Sequence, residues 1–354
     1  CDAIKKRWLF PMSQTFKFEG EQDLAGFVQE RVDPVFITGG QTRGVDLKQD
    51  CVDMTGLSGI VDYEPGALTM VAKAGTTLRN IEEVLKAEGQ QLAFEPTILN
   101  TALGTSGAST FGGVFATNAS GPRRIQAGAA RDFLLGVRYV DGHGNVIRNG
   151  GRVMKNVTGY DIVKLMAGSW GTLGLLSEVS FKVLPMPAAQ ATLVISGINA
   201  DVAVDVMTAS LNTAFDVNSV AYDIAAKCAY VRFEGFEQSV KYRTKSLMDT
   251  LAVDREIAVL ENDDSAAAWS DIRMLSAISN QRGDLWKISV RPTDGPQRYQ
   301  TKTTTIHQES MPRYPMMFAG REPTRAKLQS LKLEMLTTAL IGSSNCPDAV
   351  VDSP

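Results

Sequence analysis

Three glycine-rich stretches set among short apolar runs constrain this chain more than any other feature. The first is Gly39-Gly40-Gln41-Thr42-Arg43-Gly44, entered from the apolar run Pro34-Val35-Phe36-Ile37-Thr38, which reads as a buried strand ending in a glycine turn. The second runs from Gly112-Gly113-Val114-Phe115 through Asn118-Ala119-Ser120-Gly121 to Pro122-Arg123-Arg124. The third is Lys155-Asn156-Val157-Thr158-Gly159-Tyr160-Asp161 with Gly168-Ser169-Trp170-Gly171-Thr172-Leu173-Gly174. Of 354 residues 31 are glycine, and they concentrate between Gly39 and Gly174. Backbone freed of side chains can lie against a flat ring system, and its amides can converge on an anion. The first stretch, with Thr42 and Arg43, therefore reads as a phosphate site. It is neither a Gly-x-Gly-x-x-Gly opening a helix nor a P-loop, so Rossmann and nucleotide-triphosphatase signatures do not apply.

The periodicity around these loops alternates between helix and strand. Glu21 to Val32 reads as an amphipathic helix with Leu24, Phe27 and Val28 on one side. Leu68–Ala72 reads as a strand, followed by a helix capped by Thr76 or Thr77, facing inward with Leu78, Ile81 and Leu85 and stopped by Gly89. Asn100 to Gly121 is rich in small residues and reads as loop folded around a ligand, because Phe94, Phe111, Val114 and Phe115 need something to pack on; a flexible linker is the alternative. Phe133–Val140 and Asn145–Arg148 are strands joined by Asp141-Gly142-His143-Gly144, which puts His143 on a surface turn. Asp161 caps a helix through Leu165 and Met166, and Leu175–Leu184 is a long strand ended by Pro185 and Pro187. Beyond Ala191 the order is strand Thr192–Ser196, helix Asp201–Leu211, strands Ser219–Asp223 and Ala229–Glu234, and helix Phe236–Leu251. Trp286–Val290 is expected as the last strand. This reads as an antiparallel sheet with helices on one face.

Composition excludes several function classes. The net charge of −3 gives no field that favours nucleic acid or an acidic membrane. No run of about 18 apolar residues is present to span a bilayer. Cys1, Cys51, Cys228 and Cys346 are scattered without a Cys-x-x-Cys, so iron–sulfur or zinc spacing is absent and unpaired thiols in a reducing cytoplasm are expected. With His143 and His307 the only histidines, no metal site or histidine-centred triad is expected. Met12-Ser13-Gln14 reads as a natural start, which makes residues 1–11 an extension, with a lipid-modified Cys1 as the alternative.

The order of these segments resembles the FAD-binding domain of the vanillyl-alcohol oxidase/p-cresol methylhydroxylase (PCMH-type) superfamily. Closer still, Gly151-Arg152-Val153-Met154-Lys155-Asn156-Val157-Thr158-Gly159-Tyr160-Asp161 and Leu165-Met166-Ala167-Gly168-Ser169 resemble the FAD-binding E subunits of bacterial glycolate oxidase. So do Ser120-Gly121-Pro122-Arg123-Arg124, Arg131-Asp132-Phe133-Leu134-Leu135-Gly136 and Leu285-Trp286-Lys287-Ile288-Ser289, and the likeness runs from about residue 16 to 291. It implies an α+β fold: a two-lobed FAD-binding domain over residues 12–187 (lobes about 12–104 and 105–187), then an α+β cap with an antiparallel sheet over 188–294. Residues 295–354 resemble nothing in the family, whose members close on a Cys-x-x-x-Asn-Pro-Gly-Arg-like segment that Asn345-Cys346-Pro347 does not match. They are expected to be a divergent, disordered tail.

The resemblance further implies that Gly39, Gly40, Gln41 and Thr42 meet the FAD pyrophosphate. By the same likeness Gly112, Gly113, Asn118, Ser120 and Gly121 line the flavin, and Gly171, Thr172, Gly174 and Leu175 close over it. Some superfamily members attach FAD through a histidine near the first loop; none lies there in this chain, so the FAD is expected to be non-covalent. Oxidising a 2-hydroxy acid also needs a cation for the carboxylate and a base for the hydroxyl proton. Arg123, Arg124, Arg131 and Arg152 are candidates for the first, each read as a phosphate contact or surface ion pair instead. Lys155, Tyr160 and Asp161 are candidates for the second, against a helix cap at Asp161 and a packing role for Tyr160. No catalytic residue is assigned. The expected whole is a flavin subunit of a glycolate-oxidising complex with a sister FAD-linked D subunit and an iron–sulfur F subunit, cytoplasmic or at the inner face of the membrane through its partners. A non-catalytic assembly subunit and a stand-alone flavin oxidase of alcohols or sugars are the alternatives.

Overall fold

A computed structural model describes residues 14–44, 49–152, 159–251, 256–279 and 291–296. The expected extension over residues 1–11, the expected strand at Trp286–Val290, Lys155, His307 and nearly all of the expected tail lie outside the described residues. The chain divides into two compact units and alternates between them: residues 1–84, 107–117 and 134–182 form one, and 85–106, 118–133 and 183–354 the other. No helix among the described residues is long and apolar enough to cross a membrane.

The first unit holds two sheets. Strands β1 (Thr15–Lys17), β2 (Phe36–Thr38) and β3 (Cys51–Asp53) form a parallel sheet in the order β1-β3-β2. Helix α1 (Glu21–Glu30) makes the connection from β1 to β2 that a parallel pairing requires. Strands β4 (Ile60–Glu64), β5 (Thr69–Lys73), β6 (Leu134–Val140), β7 (Val146–Gly150) and β8 (Leu175–Lys182) form an antiparallel sheet in the order β4-β5-β8-β6-β7. Leu24 and Ala25 of α1 pack with Val52, Met54, Leu57, Val140 and Leu175 into one core. A second focus is aromatic: Phe111 meets Phe115 edge-on at 5.1 Å between centroids and Phe181 at 4.4 Å, and all three are fully buried.

Local chemistry accounts for the boundaries. The Thr77 hydroxyl accepts from the Asn80 amide at the start of the helix Leu78–Ala87, whose Leu78, Ile81 and Leu85 are buried as their spacing requires. The Asp141 carboxylate accepts from the His143 and Asn145 amides, which closes the β6–β7 hairpin with His143 exposed. Asp161 caps the helix Ile162–Met166 by accepting from the Lys164 amide.

The second unit is built on four antiparallel strands, β9 (Ala189–Ile195), β10 (Ser219–Asp223), β11 (Cys228–Gly235) and β12 (Ile257–Glu261), in the order β10-β11-β9-β12. Alternate residues of β9, Ala191, Leu193 and Ile195, pack with Val204 and Met207 of the helix Ala200–Leu211 and with Val240 and Leu247 of the helix Glu237–Leu251. Thr192, between them in sequence, points to the opposite face. There the helix Asn262–Met274 brings Ser265 within 2.7 Å of the Thr192 hydroxyl and the Trp269 indole, which donates to it at 2.8 Å. Helices therefore cover both faces of this sheet and not one, a correction to the sequence reading. The helix that follows β12 escaped that reading because Asn262-Asp263-Asp264-Ser265-Ala266-Ala267-Ala268 offers almost no large apolar residues to set a period.

Candidate functional site

In the first unit the segment 107–117 gathers the glycine stretches. The backbone of Gly40 lies so close to Ala108 that a Cβ at residue 40 would collide with the Ala108 carbonyl; only glycine permits this approach. Next to it the Ser109 hydroxyl donates to the buried Thr42 hydroxyl at 3.4 Å, and Gly39 abuts the Thr110 side chain. From the other side the Phe111 amide donates to the Thr76 carbonyl and the Gly112 amide to the Ala74 carbonyl, both at 2.7 Å. The third glycine stretch joins the same segment: the Gly168 amide donates to the Phe115 carbonyl at 3.1 Å and the Trp170 amide to the Ala116 carbonyl at 2.8 Å, while Gly171 packs on Ile37. Phe111–Ala116 is itself helical, which corrects its reading as loop; its buried Phe111, Val114 and Phe115 supply the packing that their size demanded.

The structure thus brings Gly39, Gly40, Thr42, Gly112 and Gly113 together on one backbone segment, with Gly171 beside it on Ile37. Gln41 stands exposed in the left-handed region with a φ of 53°. Thr172 donates to the Ser169 carbonyl at 2.7 Å, and Gly174 leads directly into β8. Leu175 is packed in the core with Leu24 and Val52, so any contact it makes with a ligand runs through its backbone.

Arg43 is the distinctive charge of this region. One guanidinium nitrogen donates to the Thr117 hydroxyl at 3.1 Å, and among the described residues no carboxylate faces it. Burial lowers its pKa, since a desolvated cation is harder to keep charged. A cation withdrawn from water without a counterion is costly, and a bound anion removes that cost.

The remaining candidates, Asn118, Ser120 and Gly121, belong to the second unit. The Asn118 carboxamide accepts from the Arg131 amide at 2.9 Å, the Ser120 hydroxyl accepts from the Ala130 amide at 2.9 Å, and the Gly121 amide donates to the Phe94 carbonyl at 2.9 Å. Arg123 is neither the phosphate contact nor the surface ion pair read from sequence. It is largely buried and forks onto Glu234, through Nε at 3.1 and 3.0 Å to the two carboxylate oxygens and through Nη2 at 2.5 Å, with Nη1 on Gln91 at 2.6 Å. Arg232, 1% exposed, forks onto Glu95 at 3.1 and 2.8 Å and lies over the Trp269 ring at 4.2 Å from its centroid. Burial alone would raise the Glu95 carboxyl, but Arg232, Arg123 and Arg273 together hold it at about 2. Sequence reasoning missed this network: Glu95 and Arg232 lie 137 positions apart, and no spacing announces such a pair.

Of the other candidates, Arg152 pairs with Asp62 in a half-exposed contact of the first unit, while Arg124 and Arg131 sit on the short helices Arg124–Ala127 and Ala130–Phe133. Asp161 acts as the helix cap, and Tyr160, expected to pack if it held no proton-handling role, is 91% exposed. Cys51 and Cys228 are free thiols, and among the described residues no cluster of His, Cys, Asp and Glu could hold a metal ion.

Comparison with known proteins gives this arrangement its context. Residues 21–150 match the family model described as an FAD binding domain. Glycolate oxidase subunit GlcE of Escherichia coli (strain K12) is 34% identical over 267 residues, 74% of this chain and 70% of that protein. Glycolate oxidase subunit GlcD of Bacillus subtilis (strain 168) and the D-lactate dehydrogenase of Anaerostipes hadrus are each 31% identical over 144 residues, 41% of this chain but 29% of those proteins. The chain therefore spans well under half the length of these last two relatives. Among solved structures, an alkyldihydroxyacetonephosphate synthase superposes with a TM-score of 0.61 at 18% identity, covering 83% of this chain and 59% of that one; this likeness concerns the fold alone.

Proposed function

Because this chain belongs to the GlcE family of glycolate oxidase subunits, which are FAD-dependent oxidoreductases of the PCMH type, we propose that it is the flavin carrier of a complex that oxidises glycolate, a 2-hydroxy acid, to glyoxylate. The observation that carries the cofactor assignment is Arg43, a largely desolvated cation without a facing carboxylate among the described residues, beside a backbone approach that admits only glycine at residue 40. That combination fits the pyrophosphate of FAD, with Gly39, Gly40, Gln41 and Thr42 as its backbone and hydroxyl partners. Gly112, Gly113, Asn118, Ser120 and Gly121 then line the ring system, with Gly171, Thr172, Gly174 and Leu175 closing over it. Bound FAD supplies the two-electron acceptor that the chain's own side chains lack. With no histidine in the first glycine stretch, the attachment is non-covalent; flavin that stays with acid-precipitated protein would contradict this.

The substrate chemistry itself belongs mainly to a sister FAD-linked D-type subunit, and onward electrons to an iron–sulfur F-type partner. Two of the four arginines considered for the substrate carboxylate, Arg123 and Arg152, are already committed to Glu234 and Asp62, and the sequence carries no Cys-x-x-Cys of its own. The complex works in the cytoplasm or at the inner face of the membrane, held there by its partners. Co-expression with both partners, followed by visible spectra of the separated chains and dye-coupled glycolate oxidation by each, tests this. A yellow chain that is inactive alone and active in the complex is expected. A colourless chain from an intact complex would favour a purely architectural role, and glycolate turnover by the isolated chain at the rate of the complex would overturn the division of labour.

A further inference from the structure

We propose that Glu95 is a positioning residue for the flavin, holding the loop Asn118–Gly121 in the conformation that receives the ring system. The inference rests on the reading of that loop as flavin-lining. Every contact in it lies within the second unit. Glu95 has a φ of 47°, in the left-handed region that side chains rarely adopt, and Asn118 one of 49°, which asparagine takes more readily than most residues. Such outliers persist only where the surroundings over-determine them, and they gather at ligand sites.

Here the determinants converge on one carboxylate. Glu95 accepts from the Arg123 amide at 3.3 Å, two residues beyond the loop, and from both terminal nitrogens of Arg232. Its carbonyl lies so close to Gly121 that a Cβ there would collide with it, and the neighbouring Phe94 carbonyl takes the Gly121 amide. The Arg123 side chain anchors the same turn to Glu234 and Gln91. At the other end the Asn118 and Ser120 side chains fasten the loop to the Arg131 and Ala130 amides. Glu95 is thus the group through which β11, by Arg232, and the loop, by the Arg123 amide and the Gly121 backbone, are held to the same chain segment. A network built for stability alone has little reason to aim its bonds at the backbone of Gly121 and Arg123, since buried ion pairs are weak stabilisers compared with apolar packing.

The test separates the two halves of FAD, using the full-length chain and titrating apo-protein with FAD and with ADP, which shares the pyrophosphate but lacks the ring system. Glu95→Gln keeps the shape and removes the charge. FAD binding should weaken about tenfold, the worth of one charge-assisted hydrogen bond, while ADP binding stays within about twofold of wild type. The bound flavin's visible band should also lose its fine structure. If Glu95→Gln melts earlier but binds both ligands as wild type with an unchanged spectrum, or weakens both equally, Glu95 is structural and the proposal is wrong. Should that variant fail to fold, Arg123→Lys, which keeps the charge and loses the fork, is read on the same scale with the same two outcomes. Failure of the flavin reading itself is recognised separately, since wild-type protein would then show no saturable FAD binding, and the proposal would fall with it.

Discussion

The glycine loop of the first unit and the ion network of the second both withdraw arginine from water, partly at Arg43 and fully at Arg232, but they balance its charge in opposite ways. Arg43 has a single hydroxyl partner and no facing carboxylate among the described residues. Arg123 and Arg232 are each paired with a carboxylate, Glu234 and Glu95. A buried charge needs a partner, so an unmatched one points to something that binds, and a matched set points to the chain holding itself. The difference predicts which arginine meets the ligand directly and which ones act on it only by holding the chain, and with it the loop Asn118–Gly121, in place.

The largest effect should come from breaking the matched set. Arg232→Met leaves Glu95 without its main counterion in a buried position, which costs about 3–5 kcal/mol of stability, measurable by urea denaturation. A loss below about 1 kcal/mol would mean that the network is no better than its apolar replacement. A pH titration sharpens the same point. The Glu95 carboxyl is held at about 2 against an ordinary 4.5, so its folded-state pKa is depressed. Its contribution is complete above pH 4.5 and is lost as the pH falls through 4.5 towards 2. At about 1.4 kcal/mol per pH unit this amounts to about 3 kcal/mol. Glu95→Gln should flatten the acid limb of the stability curve over that window, and an unchanged limb would remove Glu95 from the account.

The unmatched arginine should behave in the reverse way. Arg43→Gln removes a charge-assisted contact worth about 1.5–3 kcal/mol, so FAD affinity should fall by about 10- to 150-fold. Stability of the ligand-free protein should hold or rise slightly, because a desolvated cation is gone. Fluorescence titration and a melt of the apo-protein measure both. If instead the apo-protein is destabilised and FAD binds as before, Arg43 belongs to the scaffold and the contrast between the two regions disappears.

The two regions also differ in how far the sequence revealed them. The glycine stretches stood out because close backbone approach demands a rare residue type at fixed places: Gly40 lies against Ala108, Gly112 sits in the segment 107–117, and Gly168 bonds to that segment's Phe115. Strands such as Ser219–Asp223 and the Asp161 cap were equally legible, since period and capping are local properties. The network was not, because Glu95, Arg123, Arg232 and Glu234 are brought together only by the tertiary fold. Arg123 in particular looked like a ligand contact for want of its partner, Glu234, 111 positions away. The helix Asn262–Met274 escaped for a related reason: Trp269 and Ser265 are buried by their fit to Thr192 and not by any apolar stripe that could be read in advance.

A third arginine decides whether charge or burial governs the contrast. Arg152 pairs with Asp62 in the first unit, with side chains 54% and 39% exposed. By charge alone it resembles Arg123–Glu234, but water already solvates both partners, and exposed pairs contribute between about 0.2 and 1 kcal/mol. Arg152→Gln should therefore cost no more than about 1 kcal/mol, shrink further at about 1 M salt, where screening shortens to about 3 Å, and leave FAD affinity unchanged. A salt-insensitive loss as large as that of Arg232→Met would show that pairing by itself, regardless of solvent, carries the stability. The inference from a partly buried Arg43, with no carboxylate facing it among the described residues, to a bound anion would then lose its physical basis.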